Sequence, residues 1–437
     1  MKSAFFLVLL ELWAGMCLSN ETAGVSGVET EQSIILNLWP FNDTDKLSLH
    51  NTVPDPSGEE FVPESSMRNF TEKNTNFGFN LYRKIALKHD NNVFFSPLSL
   101  SFALAAFLLA SEGATHHQML QALNLHLLDD KENRLPSLFQ QLSVSLAKNK
   151  EFTLLQDSFS FVQKGFQIKD VFRNLSKRYF DMEFLTVDFC NSTHAKNSIN
   201  QHVKQKTRGK IPSLFDEVDH QARIILVNCI LFKGNWLHPF PPKHTELATF
   251  YIDNYRSVQV PMMSKTERVA ITYDKSLSCV VLKLPYKGSA HMLVVIPEKG
   301  ADFMSIEDHL TNELVESWLR TMNSRKMDIY FPKFKLDQKY HMHQLLQDLG
   351  IKDLFSNEAD LSHLTNERDV KVSQVLQRAA IEVDEWGTEA VAASGSEIMA
   401  YSLPPVIRVN RPFLFMIYEA SINALLFLGR VIDPTEL

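Results

Sequence analysis

The chain has 437 residues, 45% of them hydrophobic and 22% charged, with 44 Lys and Arg against 51 Asp and Glu for a formal net charge of −7 at pH 7. A mild acidic balance with no basic stripe of interleaved aromatics argues against a nucleic-acid partner. Four cysteines, one of them in a leader segment, leave Cys190, Cys229 and Cys279, an odd number that excludes a disulfide framework and throws stability onto the core.

In chain order, residues 1–19 read as a secretory signal peptide: Lys2, an apolar run broken only by Glu11, and the small Ser19. The run is too short to span a bilayer, and the C-terminal apolar stretch is broken by Glu419 and Asn423, so no transmembrane segment is expected. Residues 20–72 form an acidic tail with Pro54, Pro56 and Pro63, expected to be disordered and solvating. From residue 20 to 70, nine acidic residues stand against two basic ones, a balance of minus seven that equals the net charge of the whole chain. The body that follows is therefore close to neutral. Asn-x-Ser/Thr triplets at Asn20, Asn42, Asn69, Asn174 and Asn191 are N-glycosylation acceptors in a secreted chain.

Length alone suggests about three domains, but no Pro/Gly-rich linker divides residues 73–437, and one large domain fits better. Helical spacing over residues 99–110 alternates with β-branched runs at 223–232 and 280–284, which predicts an α+β fold with more than one sheet. Neither a G-x-S-x-G turn nor an H-E-x-x-H helix is present, so an enzyme is the least favoured class. His116-His117 and His341-x-His343 lack a carboxylate or Cys at a partner spacing, and no metal site is expected.

The segment 385–402, E-W-G-T-E-A-V-A-A-S-G-S-E-I-M-A-Y-S, is the most informative one. Thr388, Ala390, Ala392, Ser394, Ser396, Ile398 and Ala400 share one alternating face, small and uncharged but for Ile398, whereas Glu389 and Glu397 fall on the other. A flexible linker needs no such alternation; a loop able to become a buried strand does.

The hinge Glu385-Trp386-Gly387-Thr388-Glu389-Ala390 resembles the reactive-loop hinge of the serpins. The likeness extends to N-V-F-F-S-P-L-S at 92–99, N-C-I-L-F-K-G-N-W at 228–236, L-P-Y-K-G at 284–288, F-P-K-F at 331–334, R-P-F-L-F at 411–415 and F-L-G-R-V at 427–431. It implies a fold of three β-sheets and about nine helices with an exposed reactive loop at 385–405, and inhibition of serine proteases by insertion of the cut loop into a five-stranded sheet. Family spacing puts the reactive bond between Tyr401 and Ser402. Tyr401 alone would suit a chymotrypsin-type protease without a cofactor; a noninhibitory carrier of a small ligand is the other alternative.

The stretches at 396–409, 206–212 and 335–340 are similar to a plasma branch of the family. That similarity implies control of coagulation factor Xa with protein Z as cofactor, calcium and phospholipid acting through protein Z, and of factor XIa without it. Factor Xa prefers Arg before the cut, so bait carrying Tyr401 needs a cofactor that raises effective concentration. The matching protein Z contacts are Tyr255 and Asp308, with Asp253 secondary. The branch also binds heparin through basic residues of helix D, but Leu120 and Gln121 replace them in 115–125, leaving Arg83, Lys84 and Lys88 as weak candidates. Ser96, Ser99 and Asn200 match a polar cluster beneath the opening sheet, with Gln377 in place of the usual His. No cofactor bound chemically is implied, and a monomer is expected.

Overall fold

A long amphipathic helix, α1 (Glu64–Ala86), opens the body of the computed structural model, which describes residues 64–128, 134–149, 151–387 and 404–436. It begins inside the stretch assigned to the tail, because Met67, Phe70 and Thr71 are buried on the same face as Phe77 and Leu81. An apolar face at helical spacing fixes a helix wherever it finds a core, so the tail assignment ends too late.

The remaining elements are β1 (Val93–Phe95), α2 (Pro97–Ala110), α3 (Gly113–Ala122), α4 (Leu135–Lys148), β2 (Phe152–Gln163), α5 (Asp170–Phe180), β3 (Glu183–Val187), α6 (Ser192–Lys206), β4 (Ile224–Gly234), β5 (Glu246–Tyr251), β6 (Ser257–Asp274), β7 (Cys279–Pro285), β8 (Ala290–Pro297), α7 (Phe303–Asp308), α8 (Asn312–Thr321), β9 (Asn323–Pro332), β10 (Phe334–His341), α9 (Met342–Asp348), β11 (Gln374–Val383), β12 (Val406–Arg408), β13 (Phe413–Glu419) and β14 (Ala424–Val431). The described residues thus hold nine α-helices, and the class is α+β.

Two hydrogen-bonded sheets organise the strands. A five-stranded sheet runs β10-β11-β4-β2-β3, and a nine-stranded one runs β1-β14-β13-β8-β7-β6-β9-β12 with β5 on β6. The larger sheet holds two of the three expected sheets, joined because the long β6 pairs β5 at its start, β9 along its middle and later part, and β7 at its end. Helix α2 is apolar all round and buried at every position, as a helix enclosed by other elements must be. Ser96 caps it, accepting from the Ser99 amide at 3.2 Å, and Pro97 sits at its first turn, where no amide donor is needed. Phe94, on β1 just before α2, stacks between Phe415 and Phe427.

Candidate functional site

Strand β11 is the second of the five strands in the smaller sheet, between β10 and β4, and runs directly into residues 384–387. Its pairings on the two sides differ: it is antiparallel to β10 and parallel to β4. A chain that turned back after β11 and entered between β11 and β4 would be antiparallel to both. The parallel pair is thus a seam at which an added strand finds two antiparallel neighbours, the more favourable ladder geometry.

Beneath this seam lies a buried polar cluster. Gln377 and Asn228 face each other in register, and the Gln377 Nε2 donates to Asn228 Oδ1 at 2.7 Å and to the Ser96 carbonyl at 2.9 Å. Gln377 Oε1 accepts from the Ser96 amide at 3.1 Å, and Asn228 Nδ2 donates to Ser99 Oγ at 2.7 Å and Ser158 Oγ at 3.0 Å. The structure therefore joins Ser96, Ser99 and Gln377 as expected, but it corrects Asn200. That side chain instead takes the Leu214 and Phe215 amides and donates to the Phe215 carbonyl, pinning the loop after α6. Asn228 does the work assigned to Asn200. Its signal was a lone amide inside the apolar run of β4, which only a buried polar network explains.

The hinge itself is held from three sides. Trp236 stacks on Tyr286 at 4.4 Å, and its Nε1 donates to the Asp384 carbonyl at 3.0 Å. The amides of Trp236 and Phe240 donate to the carbonyls of Trp386 and Glu385. Glu385 is buried and accepts from Lys333 Nζ and Thr245 Oγ1, each at 2.8 Å. Burial alone would raise its pKa, but these donors outweigh it and hold the carboxyl below the ordinary range. Its neighbour Asp384 is pushed up, by burial above all, despite backbone donors from Trp386 and Gly387. Lys333 and Thr245 escaped the sequence reading, although a lysine between the aromatics of F-P-K-F is the kind of charge that needs a buried partner.

Gly387 bridges to Asn235 at a φ of 122°, a region closed to side chains. A Cβ there would sit 2.7 Å from the Trp236 amide nitrogen and 2.8 Å from Asn235 Cα. Thr388, Glu389, Ala390, Tyr401 and Ser402 lie outside the described residues. The chain is described again from residue 404, and β12 pairs with β9 in parallel while Arg408 lies over the Tyr330 ring at 3.9 Å.

A second candidate surface is built on the turn between β5 and β6. Asp253 shapes it: Oδ1 accepts from the amides of Tyr255 at 2.7 Å and Arg256 at 2.8 Å, while Oδ2 pairs with Arg256 Nε at 2.7 Å. The Arg256 hydrogen bond holds the Asp253 carboxyl below its ordinary range. The turn leaves Tyr255 97% exposed, an unusual cost for an aromatic that packs on nothing. Asp308 is exposed at the end of α7. The two positions flank a common polar region near the C-terminus. The Arg256 charge is supported by Asp433 and Glu436, whose carbonyls accept from Asn92 Nδ2. Arg430 then donates to the Asn91 carbonyl and pairs with Glu307 at 2.9 Å, next to Asp308.

The heparin candidates fare differently. Lys88 lies past the end of α1 and pairs with Asp348 at 2.6 Å, and the donors of Arg83 go to carbonyl and amide oxygens. Lys84 is half-buried. Residues 115–122 also fall on α3, with 123–125 in the turn after it, rather than on the fourth helix, α4, as the letter D would have it. Of the acceptor asparagines, Asn174 and Asn191 are exposed, Asn69 is half-buried within α1, and Asn20 and Asn42 lie outside the described residues. Among the described residues Cys190, Cys229 and Cys279 are free, Cys190 exposed and the others buried. Among the described residues no group of three or more His, Cys, Asp or Glu could hold a metal ion, and no helix is long and apolar enough to cross a membrane.

A family model described as Serpin (serine protease inhibitor) matches residues 72–434. The chain is 52% identical over 375 residues to the human protein Z-dependent protease inhibitor, covering 85% of this chain and 84% of the relative. It is 49% identical over 381 residues to the mouse protein of the same name, covering 87% and 85%. Among solved structures, mouse protein Z-dependent protease inhibitor matches with a TM-score of 0.80 at 47% identity, over 86% of this chain and all of that one. Human thyroxine-binding globulin in complex with its ligand matches with a TM-score of 0.81 at 33% identity, over 85% and 100%.

Proposed function

The chain belongs to the serpin family, and from that premise we propose that it is a secreted plasma inhibitor of serine proteases that works by loop insertion. A protease attacks the bond between Tyr401 and Ser402, forms an acyl-enzyme, and is carried along as residues after Gly387 enter the seam between β11 and β4. The parallel pairing of these strands is the observation that supports this reading most. Thr388 and Ala390 suit the first step, since an entering strand with a charge or a proline there would leave an unpaired charge or a missing donor. Fourteen residues from 388 to 401 at about 3.3 Å each span about 46 Å, long enough to move a tethered partner across a domain.

The target is coagulation factor Xa with protein Z as protein cofactor, calcium and phospholipid acting through it, and factor XIa without it. The relatives' names support the cofactor, and the exposed Tyr255 and Asp308 supply a place for it. Asp253 acts there by shaping the turn. The exposed Asn174 and Asn191 are the better placed of the described glycan acceptors, and the N-terminal leader directs the chain out of the cell. Likeness to a thyroxine-binding globulin speaks to fold, which carriers and inhibitors share. Tyr401 favours a second reading, a cofactor-independent inhibitor of chymotrypsin-type proteases.

One panel tests both. Factor Xa is incubated with the protein, with and without protein Z, calcium and phospholipid vesicles, beside chymotrypsin. A complex that survives SDS, formed with factor Xa about a hundredfold faster when the cofactor is present, is expected from the gain in effective concentration. Fast adducts with chymotrypsin and cofactor-indifferent factor Xa would favour the second reading.

A further inference from the structure

Resting on the protein Z reading, we propose that Arg83 is a positioning residue of the cofactor site, holding the end of α7 so that Asp308 is presented at a fixed place. Two consecutive residues of α1 grip two consecutive residues of α7. Tyr82 donates its hydroxyl to Glu307, which also pairs with Arg430 at 2.9 Å, all three being buried. Arg83 donates from Nη1 to the Leu310 carbonyl at 2.9 Å and, more weakly, to the Asp308 carbonyl at 3.5 Å. Its Nη2 donates to Asn80 Oδ1 at 2.7 Å, which fixes the guanidinium on its own helix. About two turns earlier, Asn76 Oδ1 accepts the Asn312 amide at 3.0 Å. Helix α1 is thus a template for the whole corner from 307 to 312.

Asp308 is the exposed end of that corner, and its charge is close enough to act on the Arg83 guanidinium. The last turn of a helix leaves carbonyls without intrahelical donors, and a six-residue helix has no length to hold its end rigid. The His309 amide serves the Ser305 and Glu307 carbonyls, and Arg83 adds an outside donor to the Asp308 carbonyl and to Leu310 just beyond the helix. A guanidinium presents a planar fork that reaches two carbonyls and an amide oxygen together, whereas an ammonium is a single point. With its donors so engaged, Arg83 is a poor sulfate ligand, and the role separates it from Lys84.

The test is direct titration of the full-length protein with purified protein Z, using Arg83→Ala, Arg83→Lys, Asp308→Ala and the Arg83→Ala/Asp308→Ala double variant. Arg83→Ala is expected to raise the Kd about tenfold, the effect of losing charge-assisted bonds, with Arg83→Lys between it and the parent. Because Arg83 acts through Asp308, the double variant is expected to bind no more weakly than Asp308→Ala. Should Arg83→Ala fold poorly, Arg83→Gln keeps a neutral amide without the charge or the planar fork and reads the same effect. Parent-like binding by Arg83→Ala, or losses that multiply in the double variant, would overturn the role. So would lost heparin binding with protein Z affinity intact. If Asp308→Ala alone binds protein Z like the parent, the cofactor site itself is misplaced and Arg83 falls with it.

Discussion

Glu385 shows how single residues hold the segment proposed as the hinge against the body. Its carboxylate is buried with two donors, so the folded protein holds it ionised more strongly than the unfolded chain does. A depressed carboxyl pKa contributes stability that is present above the ordinary glutamate value of 4.5 and is lost as pH falls through the lowered one. Asp384 acts in the opposite sense, because its raised pKa favours the protonated hinge. Glu385→Gln is therefore expected to flatten the fall in Tm below pH 4.5, and parallel acid limbs for variant and parent would contradict the role. Gly387 is the other fixed point: its positive φ suits the closed hinge, whereas an extended, inserted strand needs no such angle. The turn at 385–387 carries the Glu385, Trp386 and Gly387 that the sequence singled out. Its partners Lys333 and Thr245 were not legible there, because they come from distant strands and meet it only through the fold.

At the scale of elements, β11 and β4 form the parallel pair that the proposed insertion would have to part. Their ladder bonds are individually worth about 0.5–1.5 kcal/mol net, and the amide contact between Gln377 and Asn228 closes the pair from beneath. Asn228→Ala would leave the Gln377 amide and two serine hydroxyls short of a partner in a buried place. A cost of about 1–3 kcal/mol is expected for each group left unsatisfied, seen as a lower Tm and faster loss of inhibitory activity on storage at 37 °C. A variant as stable as the parent would remove the cluster from the account. Helix α6 and the loop after it cover the same sheet, with Ile199, Val203 and Leu214 packed on Phe159, Val227 and Leu376. Asn200 belongs to that cover. Sequence order could assign it to the cluster by resemblance, but side-chain direction on α6 sends it to the Leu214 and Phe215 backbone instead.

Over the whole molecule, the family motifs land where a fold of this kind needs them. N-C-I-L-F-K-G-N-W supplies the end of β4 and the stacked Trp236, and F-L-G-R-V supplies β14 and the buried Arg430. Class and strand-rich core were readable because periodicity and motif order are local properties. The joining of two expected sheets through β6, the helical start at Glu64 and the clasp of α1 on α7 were not, since each depends on contacts between segments far apart in the chain. The inhibitor reading further requires that the native state be kinetically held, with the five-stranded sheet short of a more stable six-stranded one.

The most direct test is to cut the loop between Tyr401 and Ser402 with chymotrypsin and compare heat resistance before and after, for the parent and for Thr388→Arg. The account predicts that the cut parent gains many degrees in Tm as the loop fills the seam, and that Thr388→Arg, with a charge to bury at the first step, gains far less and yields no SDS-stable adduct. A cut parent that melts at the uncut temperature would contradict insertion, and with it the mechanism proposed for this chain.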